Sequence, residues 1–253
     1  MPDTAQGGAL ARTHEGRPGL PRGRSRLPAP AVRAAQRRRL LRAAIAAVAE
    51  SGYHAVTVAG IVRRARVSRA AFYEHFDDKD DCFLTATAEG WQLLTGQVIA
   101  AARAMPDDAP AEDMLRAGLR AFLGFLAAEP AFARVFYIDM PSAGPAAAGR
   151  VHAAAEQYAG INRRWHERAR MRNPGWPRVP GEAYTALAGG TIQLVRSYVR
   201  IGRTSDLPGL EDTLVSLHLA VLAARPWEAD RQQQAGNSRP VRPRTVTRRS
   251  RRA

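Results

Sequence analysis

The sequence predicts an all-α chain. A small N-terminal helix-turn-helix domain leads into a larger helical domain, and disordered basic arms flank the two. Three observations carry this. Apolar residues recur at helical spacing through the middle of the chain, and no stretch alternates as a strand would. Three helical segments crowd together near the N-terminus, the last two joined by a tight turn. The charge excess sits at the ends rather than in the middle.

The first helix is expected from about Ala31 to Ser51, with Leu41, Ile45 and Val48 on one face and Gly52 as its stop. Thr57 is placed to cap a second helix, where Val58, Ile61, Val62 and Ala65 share a face. Ser68 caps a short third helix with Phe72 and Phe76 facing inward. Asp77 and Asp78 end it and open a fourth, from about Lys79 to Ala104.

The chain has 253 residues, with 38 basic side chains against 23 acidic ones, a net +15. Residues 1–39 and residues 225–253 each hold nine Arg against two acids, a net +7 apiece, which leaves the middle nearly neutral. Such a balance points to a polyanionic partner, nucleic acid before an anionic membrane. The arms are rich in Pro, Gly, Ser and Gln and cannot bury enough surface to offset the entropy of ordering. The single cysteine, Cys82, excludes an intramolecular disulfide framework and multi-cysteine metal sites. No apolar run reaches the roughly 18 residues of a membrane span. Arg37-Arg38-Arg39 before a short apolar run has some likeness to a twin-arginine export signal, but reads better as part of the first helix. A cytoplasmic protein with no membrane partner is therefore expected. Nearly every basic residue is Arg, as in a GC-rich genome, and Lys79 is the only lysine.

In a helix-turn-helix the third helix sets its N-terminal end in the major groove while the second braces against the backbone. Here that end reads Ser68, Arg69, Ala70, Ala71. Arg69 suits guanine O6 and N7, and the alanines permit close approach and contact with a thymine methyl. Arg63, Arg64, Arg66 and Arg69 cluster around the turn; charge alone would fit a solvated face equally well. The run Ser51-Gly52-Tyr53-His54-Ala55-Val56-Thr57-Val58, followed by Ile61, Ala65, Val67-Ser68, Ala71-Phe72-Tyr73-Glu74-His75-Phe76 and Lys79, resembles the N-terminal DNA-binding domain of the TetR family of bacterial transcriptional regulators. The likeness covers about residues 35–85. It implies that Tyr73, His75 and Lys79 face phosphates and that Thr57 sits close to the DNA backbone. Two departures stand out. Arg66 occupies a turn position where the family usually has Gly, at a cost of roughly 1 kcal/mol if the residue is left-handed. Ala70-Ala71 replaces Gly or Pro followed by Thr or Ser. The expected DNA-binding set is thus Thr57, Arg66, Ser68, Arg69, Ala70, Ala71, Tyr73, His75 and Lys79.

Beyond Ala86 helical spacing continues through Leu115, Leu119, Phe122, Leu123 and Leu126, a short helix from Pro130, a helix over about 150–170, and two more over about 182–203 and 210–224. This part resembles the TetR family's ligand-binding and dimerisation domain more weakly. Trp91, Leu94, Phe122, Phe125, Phe136, Tyr137 and Trp165 are expected to line a cavity for a lipophilic small molecule, with Arg116, Arg120 and Arg134 as candidates for a charged corner. Leu187, Leu194 and Ile201 at sevens, with Gly190 and Tyr198, and Leu214, Leu217 and Val221 on the last helix, suggest a homodimer built as a four-helix bundle. His54, His152, His166 and His218 lack metal spacing, and no nucleophile elbow, phosphate loop or catalytic constellation is present, so no metal, no cofactor and no enzymatic activity are expected.

The expected organisation is a basic arm over 1–30, the helix-turn-helix domain over 31–85, the ligand-binding and dimerisation domain over 86–226, and a basic tail over 227–253. The reading that follows is a ligand-responsive repressor binding a palindromic operator in double-stranded DNA as a homodimer, with an activator left open. The alternative is a non-specific architectural binder that uses its Arg-rich arms, the N-terminal one placed to trail into a minor groove.

Overall fold

The computed structural model describes residues 8–13 and 28–224. The expected arms therefore lie largely outside the described residues, and the C-terminal one wholly so. Within the described residues every regular element is helical.

Helix α1, Ala29–Ser51, follows Pro28 and buries Leu40, Leu41, Ala43, Ala44, Ile45 and Val48. Gly52 ends it at φ 76°, its N–H returning to the Val48 carbonyl. A 3-10 turn over Tyr53–Ala55 leads to α2, Val58–Ala65, and α3, Arg69–Tyr73. Together these make the head. Phe72, Phe76, Ile61 and Ala65 fill its centre. Arg64 holds Glu50 at 2.6 Å, tying α2 to α1, so it is engaged within the head rather than displayed beside the turn.

Helix α4, Lys79–Arg103, links head and body. The Asp78 carboxylate caps it, accepting from the Asp80 and Asp81 amides at 2.8 Å each. Its inward face carries Phe83, Ala86, Gly90, Trp91, Leu94 and Val98. Gly90 permits a close crossing, because a Cβ there would lie 2.7 Å from Phe132 Cδ2. Arg37 pairs with Glu89 and so ties α1 to α4.

The body continues with α5, Ala111–Ala128, and α6, Pro130–Arg134, which runs straight into a π-helical turn over Val135–Asp139. Helix α7, Pro145–Arg172, α8, Gly181–Arg200, a 3-10 stretch over Thr204–Leu210 and α9, Glu211–Leu222, complete it. Aromatic rings run through the core: Trp91 stacks on Phe136 at 4.9 Å, and Phe132 meets both Phe125 and Phe136. The α6 corner and the π-helical turn both pack on α1, so the body touches the head directly as well as through α4.

Residues 8–13 of the expected N-terminal arm are among those described. Gly8–Thr13 lie against the body, Ala11 is buried, and the Ala9 and Leu10 amides both donate to the Glu129 carboxylate at 2.8 Å. No compositional signal marks this segment out. What holds it is a carboxylate more than a hundred positions away in the sequence.

Candidate functional site

Local chemistry fixes the reading head. Thr57 Oγ1 accepts from the Gly60 amide at 3.2 Å and starts α2. Arg66 ends that helix in the left-handed region, φ 52° and ψ 47°, its amide returning to the Arg63 and Val62 carbonyls. It is the only non-glycine residue with positive φ among the described residues. The turn therefore keeps the shape that glycine would give, at the strain expected for Arg. Ser68 Oγ accepts from the Ala71 amide at 3.1 Å and caps α3.

The outer side of α3 presents Arg69, Ala70 and Tyr73, all exposed. The Arg69 guanidinium lies 5.7 Å from the Tyr73 ring centre and donates to its hydroxyl at 3.3 Å. The side chain suited to a guanine edge is thus braced by the one expected to meet a phosphate. Arg63 and Arg66 are exposed nearby. Other members of the expected set are placed differently. Ala71 is buried and serves the head's packing. His75 is half-buried, with its Nε2 beneath the surface and without a hydrogen-bond partner. Lys79 stands 4.3 Å over the Tyr53 ring and donates to the Tyr53 carbonyl at 3.4 Å, a tether that limits its reach.

A cavity of about 440 Å³ opens between the C-terminal part of α4, α5 and α7. That is within the range for small-molecule sites. Val98, Leu115, Leu119, Phe122, Ile161 and Trp165 form apolar walls. Of the seven residues expected to line a cavity, Phe122 and Trp165 do so, while Trp91, Leu94, Phe125, Phe136 and Tyr137 pack in the aromatic core. Nor do the proposed charged-corner residues Arg116, Arg120 and Arg134 line it. Arg116 and Arg120 instead bind Glu211 at the start of α9, and those hydrogen bonds hold the Glu211 carboxyl below its ordinary range.

The cations that do line the cavity are Arg103, Arg164, Arg168 and Arg172, with Asp107 the only acid among them. Sequence reasoning missed them, although a signal was present. Ile161, Arg164, Trp165, Arg168, Ala169 and Arg172 fall at i, i+3, i+4, i+7, i+8 and i+11, one helical face mixing apolar and cationic residues. Behind the cavity wall the Tyr158 hydroxyl is buried, with Asn162 and Thr191 of α8 as its polar neighbours. Burial pushes the Tyr158 hydroxyl up to about 12, so it stays a neutral donor.

The expected dimer set splits in two. Leu187 and Leu214 are buried in their own chain, and Leu194, Tyr198 and Val221 are partly buried. Gly190, Ile201 and Leu217 are exposed, and a Cβ on Gly189 or Gly190 would meet nothing within 4 Å.

Residues 40–86 match the family model described as "Bacterial regulatory proteins, tetR family". Comparison by sequence with curated proteins finds no match. Among solved structures, the fatty acid degradation regulator FadR from Bacillus halodurans is similar at a TM-score of 0.66 and 19% identity, over 75% of this chain and 97% of that one. FadR from Bacillus subtilis in complex with stearoyl-CoA aligns at 0.64 and 18% identity, over 72% and 97%. A tetR-family regulatory protein from Rhodococcus RHA1 aligns at 0.59 and 23% identity, over 75% and 98%. Residues 40–86 thus carry the N-terminal domain of the tetR family of bacterial regulatory proteins, and the described chain shares the fold of solved tetR-family structures.

Proposed function

We propose that this chain is a one-component repressor. Two copies grip a palindromic operator and let go when an anionic amphiphile enters the cavity. The observation that carries the reading is the span of α4. Its first residue, Lys79, belongs to the reading head, and its last turns, from Val98 to Arg103, form a cavity wall. At ~1.5 Å per residue the helix reaches roughly 36 Å without a break. A ligand that favours one position of the Arg103 end therefore biases the position of the head, a population shift driven by its differential affinity for the two states.

The ligand class follows from the lining. Apolar walls favour an alkyl or aryl tail, and four arginines favour phosphate or carboxylate. Similarity to a FadR crystallised with stearoyl-CoA supports the same class. Homodimerisation is supported by the open small-residue face of α8 at Gly189 and Gly190, beside exposed Ile201 and Leu217. The exposed Arg69 edge favours sequence-specific reading over purely architectural binding.

The test uses a duplex recovered with the full-length protein by selection from random DNA. Stearoyl-CoA should release it at micromolar concentration, and a cationic amphiphile of equal chain length should not. Arg168→Glu should raise the concentration needed at least tenfold and leave DNA affinity within twofold of wild type. Equal release by both amphiphiles, or none by either, overturns the ligand assignment.

A further inference from the structure

The contact between Gly8–Thr13 and the body is a specific one. Glu129 sits at the corner between α5 and α6, nearly buried, and its two oxygens each accept one backbone amide, from Ala9 and Leu10. Gly8 approaches the corner so closely that a Cβ would lie 2.6 Å from the Ala128 carbonyl oxygen, and its φ of +78° is one that side chains resist. Leu10 packs against the main core and Ala11 joins it. The corner thus holds a bent backbone segment with glycine at its first position. The same chain goes on to form α1 of the reading head, which begins at Ala29.

We infer that the α5–α6 corner is a docking site for the chain's own N-terminal segment, and that this latch restrains the head against the body. Helix α6 packs on α1 and α8, and Phe132 of α6 lies against Gly90 of α4. Fixing the corner fixes the element wedged between both helices that carry the head. With the latch open, the head samples more orientations. Apparent DNA affinity then falls by the fraction of the population that keeps the competent spacing.

Gly8→Val tests this without changing any charge or any residue of the body. In hydrogen exchange on the free wild-type protein, the Ala9 and Leu10 amides should exchange at least tenfold slower than in an unstructured peptide, and Gly8→Val or Glu129→Ala should abolish the difference. On the selected duplex Gly8→Val should weaken binding threefold or more with an unchanged salt slope. Adding Glu129→Ala to it should weaken binding no further, because both variants remove one contact. Unprotected amides in the wild type would overturn the latch. Protected amides with DNA affinity unchanged in Gly8→Val would overturn its restraint of the head. The exchange arm holds whether or not the repressor reading does; only the DNA arm rests on it.

Discussion

Arg66 offers a direct measure of strain in the reading head. Its left-handed backbone lies in a turn otherwise satisfied by two amide contacts. Arg66→Gly should therefore raise stability by about 1 kcal/mol in a urea titration, and a loss of stability would show that the side chain makes an overriding contact. Arg69 carries the prediction about readout. Arg69→Ala should cost about 1–3 kcal/mol on the selected duplex and relax preference at one position per half-site. Tyr73→Phe should weaken the same preference less, since the ring still supports the guanidinium but the hydroxyl contact is gone; selection with each variant reads both effects. At this scale the caps Thr57 and Ser68 and the exposed place of Arg69 on α3 were legible, because each is set locally. The burial of Ala71 and the tether of Lys79 to Tyr53 were not, since both depend on how three helices meet.

Among the elements, α7 and α8 show where periodicity informs and where it misleads. Leu187, Leu194 and Ile201 at sevens suggested a common seam, yet α8 turns Leu187 inward to a small core with Tyr184 and Leu222 while Ile201 stays exposed. Helix α8 stops at Arg200, so Ile201 falls in the turn beyond it and the repeat is not one continuous helical stripe. The dimer is better tested at the open face. Gly190→Arg should yield monomers at micromolar concentration by light scattering, with an unchanged far-ultraviolet circular dichroism spectrum. A variant that stays dimeric would move the interface elsewhere. For the cavity, aromatic residues alone were a poor guide, because most of them close the core between α4 and α6. The cationic face of α7 was the better marker, and only the packing of α4 and α5 against α7 shows it to be a wall rather than a solvated surface.

For the whole molecule, two buried histidines set the response to acid. His166 accepts or donates at Nδ1 with the Tyr184 hydroxyl at 2.8 Å, and His218 Nδ1 meets the Leu214 carbonyl at 2.7 Å. Burial lowers both below the ordinary value near 6.5. The unfolded chain therefore takes up protons on these groups before the folded one does. Their stabilising effect is complete above about pH 6.5 and is lost as the pH falls from there toward the lowered folded values. Urea midpoints should drop between pH 7 and 5.5, and His218→Gln should flatten that drop. A wild-type midpoint that does not change over this range would contradict the burial of neutral imidazoles.

In the mechanism proposed above, head and cavity of one chain share a single conformational equilibrium. Linkage makes it measurable, because two ligands that bias one equilibrium must weaken each other by the same factor. The measurement is a pair of titrations: duplex affinity with and without saturating stearoyl-CoA, and stearoyl-CoA affinity with and without saturating duplex. Each should weaken the other tenfold or more, by equal factors within error. Tight binding of both with neither changed would show two independent sites, and the regulatory mechanism would be wrong.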